Sequence, residues 1–199
     1  MPFEMKPLAC DPKRLRGLSE KLIVSHHENN YGGAVKRLNA IAGKLAELDY
    51  ASVPVFVVNG LKREELIATN SMILHECYFE SLGGDGGLSH RGLCDRLTRD
   101  FGSEERWRAE FTAMGKALGG GSGWVLLVWS ARCAKLVNQW AADHTHMLAG
   151  GTPILALDMY EHSYHIDYGA KAAAYVDAFM QNINWHGVAQ AYEKCVERS

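Results

Sequence analysis

Apolar residues recur at three- and four-residue steps between residues 12 and 50: Leu15, Leu18, Leu22 and Ile23 with His26, then Val35, Leu38, Ile41, Leu45 and Leu48. One stripe at helical period predicts long helical material over this arm. Leu18-Ser19-Glu20 reads as the approach to a helix start, and Tyr31-Gly32-Gly33 predicts a kink or close packing, because paired glycines weaken a helix interior. The next stretch, ASVPVFVVNG, is a short β-branched connection bounded by Pro54 and Gly60. It leads to a second helix, roughly 63–82, carrying Leu66, Ile67, Met72, Ile73, His75, Tyr78 and Phe79.

The glycine cluster SLGGDGGLSH ends that helix and is the candidate interdomain linker, dividing residues 1–84 from 85–199. Helical stretches over about 88–101 and 103–118 follow, the second with Glu104 and Glu105 in its first turn. After GGGSG the period changes, and 123–129, 135–142 and 153–158 read as three strands. From Gly169 to about Arg198 the pattern is helical again. The predicted class is α+β: an N-terminal helical hairpin layer, then a C-terminal layer with a three-stranded antiparallel sheet surrounded by helices.

Composition narrows the function classes. The chain has 199 residues, 47% hydrophobic, with 21 Lys+Arg against 23 Asp+Glu and a formal net charge of −2. That balance supplies no basic field for a nucleic-acid backbone and no polybasic membrane anchor. The longest uncharged apolar run, 117–131, is interrupted by glycines and falls short of the roughly 20 residues a bilayer span needs. Charged residues near the N-terminus argue against a cleaved signal, and five scattered cysteines lack CxxC spacing, so reduced thiols in a cytoplasmic protein are expected.

Nine histidines are the unusual feature. In ILALDMYEHSYHIDY, Asp158 closes an apolar strand and His162 follows four residues later, a spacing that lets carboxylate and imidazole converge. His26 and His75 lie on the apolar sides of their helices. Three imidazoles and one carboxylate suit iron, manganese or zinc, whereas an all-oxygen set would suggest magnesium or calcium. Taken singly, each histidine also reads as a hydrogen-bonded core residue, and Asp158 as a helix cap.

The surroundings resemble the iron/manganese superoxide dismutase family. Its D-x-W-E-H-A-Y signature stands here as Asp158-Met159-Tyr160-Glu161-His162-Ser163-Tyr164. GSGWVLLV, Phe101-Gly102-Ser103 with Phe111, and Ile183-Asn184-Trp185 are similar to further family blocks in the same order. The resemblance implies that His26, His75, Asp158 and His162 hold one iron or manganese ion per subunit, with His27 the fallback for His26 and no other cofactor. It implies a homodimer or tetramer that disproportionates superoxide to oxygen and hydrogen peroxide.

The resemblance also marks departures. The glutamine that many members place behind the metal-bound solvent is absent; Ser71 and Gly150 stand at its two positions, and the longer sheet connection offers His144, or alternatively His146. The gateway tyrosine is Ala34 and the gateway histidine Asn30, which leaves Tyr31 as the substitute hydroxyl. His165 stands where a tyrosine usually pairs across the dimer with that histidine, and Glu161 matches a glutamate that reaches the opposite subunit's ligand. Trp124, Phe79 and Tyr160 fit an aromatic shell, although the usual tryptophan is replaced at Phe79, Tyr160 and Leu126. The missing gateway groups define an alternative: a metal-binding protein of the same fold with weak or no dismutase activity.

Overall fold

The computed structural model describes residues 2–197. Ser19 starts the first helix, α1 (Glu20–Ser25), its Oγ accepting from the Leu22 amide at 3.1 Å. The predicted arm does not continue as one helix. Residues His26–Tyr31 form a π-helical turn, and α2 (Gly32–Ala46) resumes after it. The irregularity expected at the paired glycines thus lies one turn earlier, around the first candidate ligand. Such π turns are rare and occur often at functional sites.

Helix α3 (Val55–Glu80) runs back against α2. It starts well before the predicted residue 63, so the β-branched stretch is its exposed first turns rather than a separate connection. Pro54, with φ −59°, stands at its N-cap, while Val55 and Phe56 face outward. β-branched residues lower helix propensity only slightly, and burial of Ala68, Met72, His75 and Phe79 downstream outweighs that cost.

The glycine cluster packs against the chain's last helical turn-around instead of bridging open space. Leu82 pairs with Ile183, and a Cβ on Gly84 would lie 2.1 Å from the Ile183 carbonyl oxygen. Helices α4 (Arg91–Phe101) and α5 (Glu104–Ala117) follow, the latter capped by Ser103 Oγ on the Arg106 amide at 3.1 Å. Strands β1 (Trp124–Ser130), β2 (Lys135–Ala141) and β3 (Gly151–Asp158) pair antiparallel in the order β2-β1-β3. The central strand is buried along its whole length, which is why GWVLLVW lacks alternation.

After a short α6 (His165–Tyr168), the predicted C-terminal helical stretch is two helices, α7 (Ala172–Gln181) and α8 (Trp185–Glu197). Asn182 makes the break between the last two. Its side chain accepts from the Arg16 amide at 2.8 Å and donates to the Arg16 carbonyl at 2.7 Å. Arg198 lies outside the described residues. Among the described residues no helix is long and apolar enough to cross a membrane.

Candidate metal centre

Register places the site. On β1, Trp124 lies opposite Asp158 of β3, at the sheet end that faces the helical hairpin. The π turn and α3 then bring His26 and His75 from the other layer, 132 and 83 residues from Asp158 in the chain.

His26 Nε2 lies 3.2 Å, His162 Nε2 3.1 Å and His75 Nε2 3.6 Å from the same oxygen, Asp158 Oδ2. One ligand atom from each residue lies within 4.8 Å of the others. Atoms about 2.1 Å from a shared centre are separated by about 3.0–3.5 Å, and the three imidazole-to-carboxylate distances lie close to that range. His26, His75 and Asp158 are buried, and the His162 side chain is 26% exposed.

Asp158 and His75 are oriented from behind, whereas the buried His26 Nδ1 has no hydrogen-bond partner. The Asp158 Oδ1 accepts from the Tyr160 amide at 2.8 Å, which turns Oδ2 toward the imidazoles. His75 Nδ1 donates to the Ser71 carbonyl at 2.6 Å, so its lone pair is on Nε2. That Nε2 is buried and has no hydrogen-bond partner. An acceptor nitrogen left bare beside a carboxylate is the mark of a place made for a cation.

Burial pushes His26 down and, followed by the neighbouring His26, pushes His75 down to about 3. Burial would raise the Asp158 carboxyl, but its interactions with His162 and His26 outweigh this and hold it well below the usual carboxylate range. His26, His75 and Asp158 are therefore in the states that metal binding requires. The same shifts predict how the metal-free protein responds to acid. In the unfolded chain His75 titrates near 6.5, so between pH 6.5 and about 3 the unfolded state binds more protons than the folded one. Stability is expected to fall with falling pH across that window, by up to about 1.4 kcal/mol per unit for each such histidine. A melting temperature that stays level from pH 7 to 4 in metal-free protein would contradict this.

Aromatic rings close the site: Tyr78 and Phe79 at 4.9 and 5.0 Å from the His26 ring, Trp124 edge-on to His75 at 5.3 Å, and Tyr160 stacked on His162 at 5.4 Å. The family model "Iron/manganese superoxide dismutases, C-terminal domain" matches residues 89–191. A protein from Cupriavidus metallidurans named superoxide dismutase (Fe) is 73% identical over 98% of this chain and 99% of its own length. The chain belongs to the iron/manganese superoxide dismutase family. Manganese-named relatives match as well: superoxide dismutase (Mn) 1 of Halobacterium salinarum is 36% identical over 98% of both chains. Superoxide dismutase (Fe) of Aquifex pyrophilus is 34% identical over 94% of this chain and 89% of its own.

The remaining family positions separate clearly in space. His27 is outside the cluster, its Nε2 donating to the Lys6 carbonyl at 2.9 Å. His144 lies close: its ring is 6.3 Å from that of His75 and stacks on Tyr160 at 5.0 Å. The Trp124 indole N–H donates to His144 Nδ1 at 3.0 Å, which leaves the neutral ring's proton on Nε2. Burial lowers the His144 pKa and keeps that neutral form. His146 is half exposed and stacks on Trp140 at 6.0 Å.

A pocket of about 350 Å³ opens beside His144 between Asn30, Ala34, Arg37 and Ser71. Tyr31 is not among the lining residues. Its hydroxyl accepts from the Lys6 amide at 2.9 Å and donates to Glu76 Oε1 at 3.1 Å. Glu161 and His165 are exposed on either side of His162. Two contributors carried no readable signal in the sequence. Asn70 Nδ2 donates to the His144 carbonyl across 74 residues, and the Tyr78 hydroxyl, behind His26, pairs with that of Tyr175 at 3.3 Å.

Proposed function

We propose that this chain is a superoxide dismutase that converts two superoxide ions and two protons to dioxygen and hydrogen peroxide at one iron or manganese ion held by His26, His75, Asp158 and His162. The observation that carries the reading is the bare, buried His75 Nε2 facing the single carboxylate of Asp158. The 73% identity to a superoxide dismutase over nearly the whole chain supports it. Bound there, the metal supplies one-electron redox chemistry between its divalent and trivalent states.

The protein's own groups do the rest. One carboxylate against three neutral imidazoles leaves the loaded centre net positive in either state, so an anion is attracted although the whole chain carries −2. Arg37 lines the pocket with its guanidinium paired to Glu64, so the attraction comes from the metal centre, and the pocket's small wall residue, Ala34, leaves the way open. His144 holds a proton at Nε2 beside the ligands, the group we assign to proton handling, with Trp124 setting its tautomer. Tyr31 acts behind the ligands rather than in the pocket. The missing gateway groups do not favour the weak-activity alternative, because the substrate approach retains a half-buried histidine donor, His144.

We further take residues 1–84 and 85–199 as two lobes that contribute two ligands each. The partly open His162 flanked by exposed Glu161 and His165 supports a homodimer or tetramer joined at this face, with Asn30 and His165 a second contact. Five free cysteines support a cytoplasmic setting.

Elemental analysis and superoxide removal measured on one purified sample test the reading. One iron or manganese per chain, with activity proportional to metal content, is expected. Zinc alone, or no metal, would overturn it.

A further inference from the structure

Residues 2–9 run over the helical hairpin as an extended strap. Phe3 and Asn39 exchange two hydrogen bonds, the Phe3 amide donating to Asn39 Oδ1 at 2.8 Å and Asn39 Nδ2 to the Phe3 carbonyl at 2.9 Å. Met5 lies over Gly32, where a Cβ would come within 2.9 Å of its sulfur. The absence of a side chain at Gly32 thus makes room for the strap at the end of the π turn.

Lys6 makes the densest set of contacts. Its amide donates to the Tyr31 hydroxyl at 2.9 Å and its carbonyl accepts from His27 Nε2 at 2.9 Å, so one peptide unit on each side of Lys6 grips a different end of the π turn. Its ammonium lies 2.7 Å from Glu76 Oε2 and 3.0 Å from Glu80 Oε1 on α3. Tyr31 closes the loop by donating to Glu76 at 3.1 Å. His27 follows His26 and Glu76 follows His75. A single residue therefore ties together the neighbours of two ligands that sit on separate helices. Beneath it, Pro7, Tyr31 and Phe79 line a partly open apolar pocket of about 250 Å³, and Phe79 in turn packs on His26 at 5.0 Å.

We propose that Lys6 is a positioning residue: the N-terminal strap clamps the π turn to α3 through Lys6, Tyr31 and Glu76, and thereby sets the spacing of His26 and His75 and the rate at which the metal leaves. This rests on the metal-centre reading above. A π turn is less favourable than continued α-helix, so a structure holding it from outside is needed to keep His26 aimed at Asp158. Partners that orient ligands typically change metal affinity 10- to 100-fold when removed.

The test compares Lys6→Met, Tyr31→Phe, the double variant and Lys6→Arg, with Lys13→Met as a control just beyond the strap, where the Lys13 ammonium lies 3.7 Å from exposed Glu20. Metal-loaded protein is mixed with excess chelator and the release rate followed, while hydrogen exchange is read separately for residues 26–31 and for β1. The double variant is expected to release metal about tenfold faster, with faster exchange confined to the π turn. Lys6→Arg should restore slow release and Lys13→Met should match the parent. Release and exchange unchanged in the double variant would overturn the proposal, as would equally faster exchange in β1. Failure of the parent protein to take up metal would instead sink the metal-centre reading and the clamp with it.

Discussion

Asp158→Ala is expected to abolish stoichiometric metal and to lower superoxide removal by at least about 100-fold, since even groups that only orient ligands cost 10- to 100-fold. Asp158 is the one anion among the four, and three imidazole nitrogens lie 3.1 to 3.6 Å from its Oδ2. Three neutral imidazoles without it leave a dication uncompensated in a buried, largely apolar site. The variant should also lose the stabilisation that bound metal confers. At a thousandfold excess over the dissociation constant this amounts to about 4 kcal/mol, or roughly 8–16 °C in melting temperature for a domain of this size. Comparing variant and parent in both metal-free and loaded forms separates this from a change in the apoprotein. Metal content and activity equal to the parent's would remove Asp158 from the ligand set.

His144→Ala should behave differently. Metal content is expected to stay near one per chain, while activity falls about 10- to 100-fold and the midpoint potential moves by tens of millivolts, a tenfold change in a one-electron equilibrium being about 59 mV. The reason is its position: near the ligands but not one of them, with Nδ1 occupied by the Trp124 indole and a proton available at Nε2. Trp124→Phe, which removes that indole donor while keeping an aromatic ring in the position, should give a smaller change in the same direction. His146→Ala should leave both quantities alone, because His146 stacks on Trp140 away from the ligands. Loss of metal from His144→Ala with an unchanged potential in the occupied fraction would contradict the assignment.

Much of this protein is readable along the chain because each element reports its own burial. Leu22 and Ile23 on α1, Leu38 and Leu45 on α2, and the unbroken apolar run of β1 show helical and strand periods, and the residues so marked are buried. The Asp158-to-His162 spacing is likewise local, a strand end followed by one short turn. Capping at Ser19 and Ser103 sits where the side chain next to an apolar period announces it.

Packing decided the rest. His26 and His27 are adjacent and equally polar, yet only the π turn determines that His26 faces Asp158 while His27 turns to the strap. His144 and His146 are separated by the fold of one loop, through bonds from Asn70 and Trp124 that arrive from 74 and 20 residues away. Tyr31 is a helical turn from the vacant gateway position, but its hydroxyl points to Lys6 and Glu76, because the extended strap brings the Lys6 amide within reach of it. Periodicity records which side of an element is buried. The meeting of individual donor atoms from distant segments depends on how those buried sides interlock, and that is a property of the tertiary structure alone.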